Sequence, residues 1–372
     1  MIPQAEYLQR AHVLRSAMAA RNLDALLCYG SKRGQVRYIS GYHPNYIANA
    51  AMVVLPKQCD AIMRIRFPFD LERARESSWI PDIAASGNTL NLASDAAAYL
   101  VEHQLAHGTI GLVTGDIVVD EMPRGLFQSL ADMLPDVTWS EAGDVLQGMR
   151  LVKTASELDA LRSSAQLADL GAEAAQEAVR PGVTEFEVVA CAEAEMRRAG
   201  AEGYLVVISS KGERELIGPP ESKSLEKGDN VIIEIAVQRE GYWTQVARVF
   251  SVGQPTRALR RLYDQTYRAF RLALTDARPG RTCSELARSI GACLENAGLA
   301  DAIEQDFGHG IGLDLPESPR IEQKDHTVIQ EGMVLVIHPA VRKIGVGGVF
   351  IGGTALVQAN QAELIHEIPD SL

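Results

Sequence analysis

The chain has 372 residues, 47% of them hydrophobic, and a formal net charge of -12. That acidity, with no Lys/Arg cluster larger than residues 257–261, argues against a nucleic-acid partner, because phosphate binding wants a basic face. No apolar run is long enough to span a bilayer, the first residues lack the build of a signal peptide, and five scattered cysteines offer neither a disulfide framework nor a metal knuckle. A cytoplasmic protein without a membrane partner is therefore expected. In chain order, helical periodicity covers residues 5–21, buried strands follow at 23–29 and 50–55, a helix passes through 96–102 and a strand spans 108–113. This alternation predicts an α/β domain over residues 1–150. At 149–157 the pattern changes: Thr154 and Glu157 make a capping box, and an Ala/Leu-rich helix runs on to residue 179. The second domain, 151–372, begins there.

Within the second domain one phrase occurs twice. Arg180-Pro181-Gly182-x-Thr184-x-x-Glu187 with Ala199-Gly200 behind it repeats as Arg278-Pro279-Gly280-x-Thr282-x-x-Glu285 with Ala297-Gly298. Each is a helix start, since Pro-Gly ends the preceding segment, Thr caps the third helical amide and Glu reaches back to the cap. A spaced match of this length predicts two copies of one unit, with a site along the seam between them. The strand after each helix aligns too: Gly228 to Val237 matches Gly332 to Val341, which makes Glu234 and His338 equivalent positions. An ionisable side chain within apolar, β-branched text is costly unless it is paired or used. A third candidate is His309, in Asp306-Phe307-Gly308-His309-Gly310-Ile311-Gly312-Leu313, where flanking glycines leave the imidazole uncrowded. Gly345 to Gly348 reads as a tight hairpin, because no helix start or phosphate-binding Lys follows it.

These motifs resemble the pita-bread fold family of aminopeptidase P, prolidase, methionine aminopeptidase and creatinase. The resemblance rests on Gly308 to Asp314 with Glu317-x-Pro319, on Glu331-Gly332-Met333-Val334, on Gly228-Asp229, and on Gly241-Tyr242 leading to Arg248-Val249-Phe250-x-Val252-Gly253. In the first domain, Val36 to Tyr42 and the junction at 149–157 look like creatinase and prolidase. It implies an α/β N-terminal domain followed by an α+β pita-bread domain, a duplicated, curved, mostly antiparallel sheet backed by two capped helix pairs. Active peptidases of the family hold two metal ions with two Asp, one His and two Glu. In this chain the matching positions are Glu234, Gln245, His309, His338 and, at or beside it, Gly352. Two hard divalent ions need several carboxylates, and one remains. The family's histidine before the Gly-Asp strand is Ile217, and a second expected histidine is Pro316, so ordinary dinuclear prolyl peptidase activity and creatine hydrolysis are both disfavoured.

Three readings of Glu234, His309 and His338 follow. The first, which we take as the expectation, is metal-free acid-base chemistry of the creatinase-like type on a small polar molecule. It hydrolyses a C–N bond, with elimination or isomerisation open and no cofactor expected. The second is a mononuclear centre in which the same three residues hold a single transition-metal ion, an atypical relative of the Xaa-Pro peptidases. The third is a non-catalytic pseudo-peptidase that only binds. Substrate-binding candidates are Tyr242, Gln245, Glu317 and Arg342, with Arg248 and Trp243 weighed beside them. By resemblance, Tyr46 would reach a partner subunit's substrate, because creatinase-like members form homodimers.

Overall fold

Buried strands alternate with amphipathic helices in the first of two compact units, Met1–Arg150 and Leu151–Leu372. The computed structural model describes residues 2–44, 49–114, 121–212, 214–369 and 372. The first unit runs α1 (Gln4–Ala20), β1 (Ala25–Gly30), α2 (Gln35–Ser40), β2 (Ala51–Pro56), β3 (Ile62–Ile65), α3 (Leu71–Ser77), β4 (Asp82–Ala85), α4 (Thr89–Glu102), β5 (Thr109–Val113), α5 (Arg124–Met133), β6 (Thr138–Glu141) and α6 (Gly143–Leu151). Its six-stranded sheet has the order β4-β3-β2-β1-β5-β6, antiparallel at β2 and parallel elsewhere. Every residue of β1 and β2 is buried, which is why both read as continuous apolar runs. Leu92 and Leu100 of α4 and Leu126 and Leu130 of α5 close one face against Leu27, Val54 and Ile110.

The second unit comprises α7 (Ala155–Ala178), α8 (Glu185–Arg198), β7 (Gly203–Ser209), β8 (Asn230–Arg239), β9 (Tyr242–Ser251), α9 (Arg257–Asp276), α10 (Cys283–Asn296), β10 (Gly308–Gly310), β11 (Glu317–Arg320), β12 (Val334–Ile337), β13 (Ala340–Lys343), β14 (Gly347–Phe350), β15 (Gly352–Val357) and β16 (Ala362–Leu364). Its main sheet runs β11-β10-β12-β15-β9-β8-β7 with every pairing antiparallel, and β13 and β14 form a separate hairpin. Alternation along these strands sends Ile233, Ile235 and Val246 into α7 and α8, and Leu335, Ile337 and Ala355 into α9 and α10. Both helix pairs therefore lie on one face. The opposite face is left to the residues between them in register, and the β13–β14 hairpin covers part of it, Val349 and Phe350 packing with Ile232 and Val249. The expected pita-bread fold class is the one observed.

The duplicated phrase is visible as duplicated geometry. Thr184 and Thr282 each accept a bond from the amide of the glutamate three residues on, and Glu187 and Glu285 each return one to the threonine's amide. The same box opens α7 at Thr154. Bonds from the threonine amides hold the Glu187 and Glu285 carboxyls below their usual range. Just before each box, Gly182 and Gly280 adopt φ of 87°, which side chains avoid, and donate their amides to Leu225 and Ile329. Bridges from Thr184 to Ser224 and from Thr282 to Val328 repeat the arrangement, so each helix start is stitched to the loop that feeds its strand. Replacing either capping threonine by alanine should lower unfolding free energy by about 1 kcal/mol, and the double variant by about the sum. Denaturant unfolding checks this; losses within a few tenths of a kcal/mol would show that the boxes are ornamental.

Candidate functional site

Glu234 sits midway along β8 between two fully buried isoleucines and turns its side chain to the helix-free face. Its partner across β9 is Ala247, whose partner on β15 is Gly352. Gly353 pairs with Ile337, which brings Gly352 beside His338 one residue past β12. Glu234, Ala247, Gly352 and His338 thus form one row across four strands, with ionisable ends and a floor of two small residues. Gln245 lies two residues from Ala247 on the same face, and its amide donates to the Glu234 carboxylate. Thr354 fixes Gln245 from β15, its hydroxyl accepting from the Gln245 amide at 3.0 Å and donating to its carbonyl at 3.1 Å. On the other side His309, opposite Val336, meets His338 edge to face with ring centroids 5.5 Å apart. Phe350 closes the pair, 5.3 Å from the His338 ring.

One tautomer follows from these contacts. His309 Nδ1 faces the Gly310 carbonyl at 2.8 Å and must carry the proton, leaving Nε2 as an acceptor. The Gln305 carboxamide lies 3.4 Å from His338 Nδ1 and can serve either tautomer of that ring. Burial, then the neighbouring His338, lowers His309 to about 3, and burial lowers His338 to about 4. Both rings are neutral at physiological pH. Burial pushes Glu234 up to about 7, although the residue keeps some solvent contact, so its carboxyl holds a proton near neutrality.

The remaining candidates disperse. Tyr242 faces the helices, where its hydroxyl donates to Glu157 of α7 at 3.0 Å; it is a packing residue, and its assignment to substrate is corrected. Glu317 is spent on structure, holding Lys153 at 3.0 Å and the Asp314 amide at 3.1 Å around the glycine-rich turn. Arg342 pairs with Glu304 at the β13 edge. Arg248 points to the helix side, while Trp243 shares the face of Gln245 near the end of β9. Tyr46 lies outside the described residues. Reasoning from sequence missed Arg320, opposite His309 and paired with Asp306; its positive charge lowers both imidazoles. The signal available was its place directly after Glu317-Ser318-Pro319 in the same motif.

The five positions do not fit the two-ion centre. Glu234 is the sole carboxylate, Gln245 is neutral, and a Cβ at residue 352 would stand 2.1 Å from the Ile337 carbonyl and 2.6 Å from the His338 Cα. Among the described residues no three His, Cys, Asp or Glu side chains are placed to hold an ion, so the single-ion alternative at Glu234, His309 and His338 is not assembled either. Glu234 pairs with Gln245 at one end of the row, and His309 with His338 at the other.

Comparison with known proteins supplies the kinship. Residues 159–359 match the metallopeptidase family M24, and residues 10–152 match the creatinase/prolidase N-terminal domain. An Xaa-Pro dipeptidase of Pyrococcus furiosus is 34% identical over 224 residues, 59% of this chain and 64% of that protein, so the match spans a little under two thirds of this relative. An Xaa-Pro dipeptidase of Pyrococcus horikoshii is 30% identical over 65% of this chain and 70% of its own. The solved prolidase of Pyrococcus horikoshii superposes with a TM-score of 0.85 at 25% identity, covering 97% of this chain and 99% of that one. Three expectations are corrected by this. Creatinase-like, metal-free chemistry on a small C–N compound, the exclusion of prolyl peptidases, and the absence of any cofactor beyond one ion were all inferred from a handful of ligand positions. The relatives are named as peptidases acting at Xaa-Pro, and their family is one of metal-dependent hydrolases. No described helix is long and apolar enough to cross a membrane. The chain belongs to the metallopeptidase family M24, with a creatinase/prolidase N-terminal domain before its pita-bread domain.

Proposed function

We propose that the protein is an atypical member of the Xaa-Pro dipeptidase group, taking short peptides with a prolyl residue into the row between Glu234 and His338. The observation that carries this is the 34% identity to an Xaa-Pro dipeptidase over 224 residues. The geometry suits the ligand. An Xaa-Pro amide has no N–H, so the small apolar floor of Ala247 and Gly352, walled by Phe350, leaves no peptide donor unsatisfied. His309 Nε2 can accept from a peptide amine or hydroxyl, His338 sets a second neutral imidazole beside it, and Glu234 with Gln245 can hold the other end. Gln245, His338 and Gly352 at ligand positions favour a second reading, in which the peptide is bound and not cut.

Calorimetry with Ala-Pro, Gly-Pro and Ala-Ala, alongside proline release with and without Mn2+ or Co2+, tests both. Prolyl dipeptides should bind at least tenfold tighter than Ala-Ala, and His338→Ala should remove that preference. Proline release supports the first reading, and binding without release the second. Equal affinity for Ala-Ala and Ala-Pro overturns the assignment.

Proton linkage gives an independent check on the site. Glu234 ordinarily titrates at 4.5 and holds its proton to about 7 in the folded chain. The folded state therefore binds more protons between these values, and this part of the stability is full below the lower value and lost as pH rises to the upper one. The two imidazoles act oppositely, since their folded values fall from 6.5 to about 3 and about 4, and their contribution grows as pH rises toward 6.5. Glu234→Gln removes only the first effect. Its stability relative to the native protein should rise by about 2 kcal/mol between pH 4.5 and pH 8, the partial exposure of Glu234 reducing the full conversion of the shift. Parallel urea-unfolding profiles for the two proteins would show that Glu234 is an ordinary surface carboxylate.

A further inference from the structure

Past Glu234 and Gln245 the helix-free face continues to the edge of the sheet. β7 is the last strand of the path, and its Tyr204, Val206 and Ile208 pack against the core under α7 and α8, so Gly203, Leu205 and Val207 take the face of the row. Register extends the row. Val207 pairs with Glu234, Leu205 pairs with Ala236 and through it with Gln245, and Gly203 pairs with Gln238 and through it with Trp243. Leu205 is 51% exposed, so its side chain is open to a ligand.

Trp243 is fixed beside it. Its amide donates at 2.7 Å to the carbonyl of Gly312, in the glycine-rich segment that carries His309. Its ring crosses β8 to lie over Gly203, where an added Cβ would stand 3.3 Å from Cη2 and 3.6 Å from Cζ2. Gln238, between them, turns its side-chain amide to the Gly241 carbonyl at 2.9 Å. The benzo edge of the indole thus ends one strand repeat, about 7 Å, from Leu205, and the two side chains make an apolar shelf past the Glu234 end of the row.

Length decides what reaches the shelf. Between β12, which His338 follows, and β8 the row crosses three strand gaps, about 14 Å. An extended dipeptide spans only about 7 Å and a tripeptide about 10 Å, so a third residue and its side chain are needed to pass Glu234. His309 Nε2 is an acceptor, which puts the amino end of the peptide at the histidines and runs the chain toward β7. Resting on the prolyl-peptide reading, we infer that Leu205 and Trp243 are specificity-determining residues that receive the third residue of the peptide, the one after proline. The preferred ligand is an Xaa-Pro-Yaa tripeptide with an aromatic or large aliphatic Yaa, whose side chain packs on the leucine and the indole.

The probes are Ala-Pro-Phe, Ala-Pro-Ala, Ala-Ala-Phe and Ala-Ala-Ala, with affinity read by calorimetry on the full chain, or kcat/KM where a peptide is cut. Phe in third place should improve on Ala at least tenfold in both series, and Leu205→Ser should reduce that ratio to within twofold with unchanged circular dichroism. Trp243→Ala should do the same and remove the change in indole emission that Ala-Pro-Phe produces, Trp79 and Trp139 lying in the first unit. Should Trp243→Ala fail to fold, Leu205→Ser alone decides. A third-place ratio within twofold in the native protein, a ratio that survives Leu205→Ser, or a gain shown by Phe-Pro-Ala in place of Ala-Pro-Phe overturns the inference. Equal binding of the Pro and Ala series with the Phe gain intact leaves the shelf standing and overturns only the prolyl reading; no binding of any peptide overturns both.

Discussion

Strict alternation along an antiparallel sheet is the constraint from which the other features descend. Successive side chains on a strand point to opposite faces, and here one face is committed to two helix pairs through Ile233, Ile235, Val246, Leu335 and Ile337. Register then decides everything on the other face. Glu234, Gln245, Ala247, Gly352, His338 and His309 have no choice but to share it, and Tyr242 and Arg248 have no choice but to leave it. A one-residue slip between β8 and β9 would exchange Gln245 for an apolar neighbour and remove the partner of Glu234.

Much of this was legible in the chain because it is local. The capping boxes at Thr154, Thr184 and Thr282 depend on residues three apart, and the repeated phrase with its following strand singled out Glu234 and His338, which the sheet carries on one face. The face assignment of Tyr242 was also available in principle. Glu240 and Gly241 form a two-residue turn with φ of 52° and 82°, and that turn pairs Arg239 with Tyr242, which puts Tyr242 out of phase with Glu234. What could not be read was long-range. Lys153 neutralises Glu317 from 164 residues away, and Thr354 fixes Gln245 from 109 residues away. No periodicity or spacing reports such pairs.

The functional misreading has a different origin. Four of the five ligand positions differ from the family's set, His309 alone being kept, and altered ligands do not by themselves define an altered reaction class. The M24 family model nevertheless matches residues 159–359, more than half of the chain. Kinship and donor set thus answer separate questions. One identifies the family, and the other describes which polar groups face the row: a carboxyl that holds its proton near neutrality, an amide, and two uncharged imidazoles.

That description of the inner face can be measured directly by 15N NMR of the histidine rings in labelled protein, with His309→Gln and His338→Gln for assignment. The account predicts two rings that stay neutral from pH 8 down to pH 5, with His309 protonated at Nδ1, and both shifted by Ala-Pro but not by Ala-Ala. Rings that titrate near the ordinary histidine value, or that are blind to Ala-Pro, would contradict it.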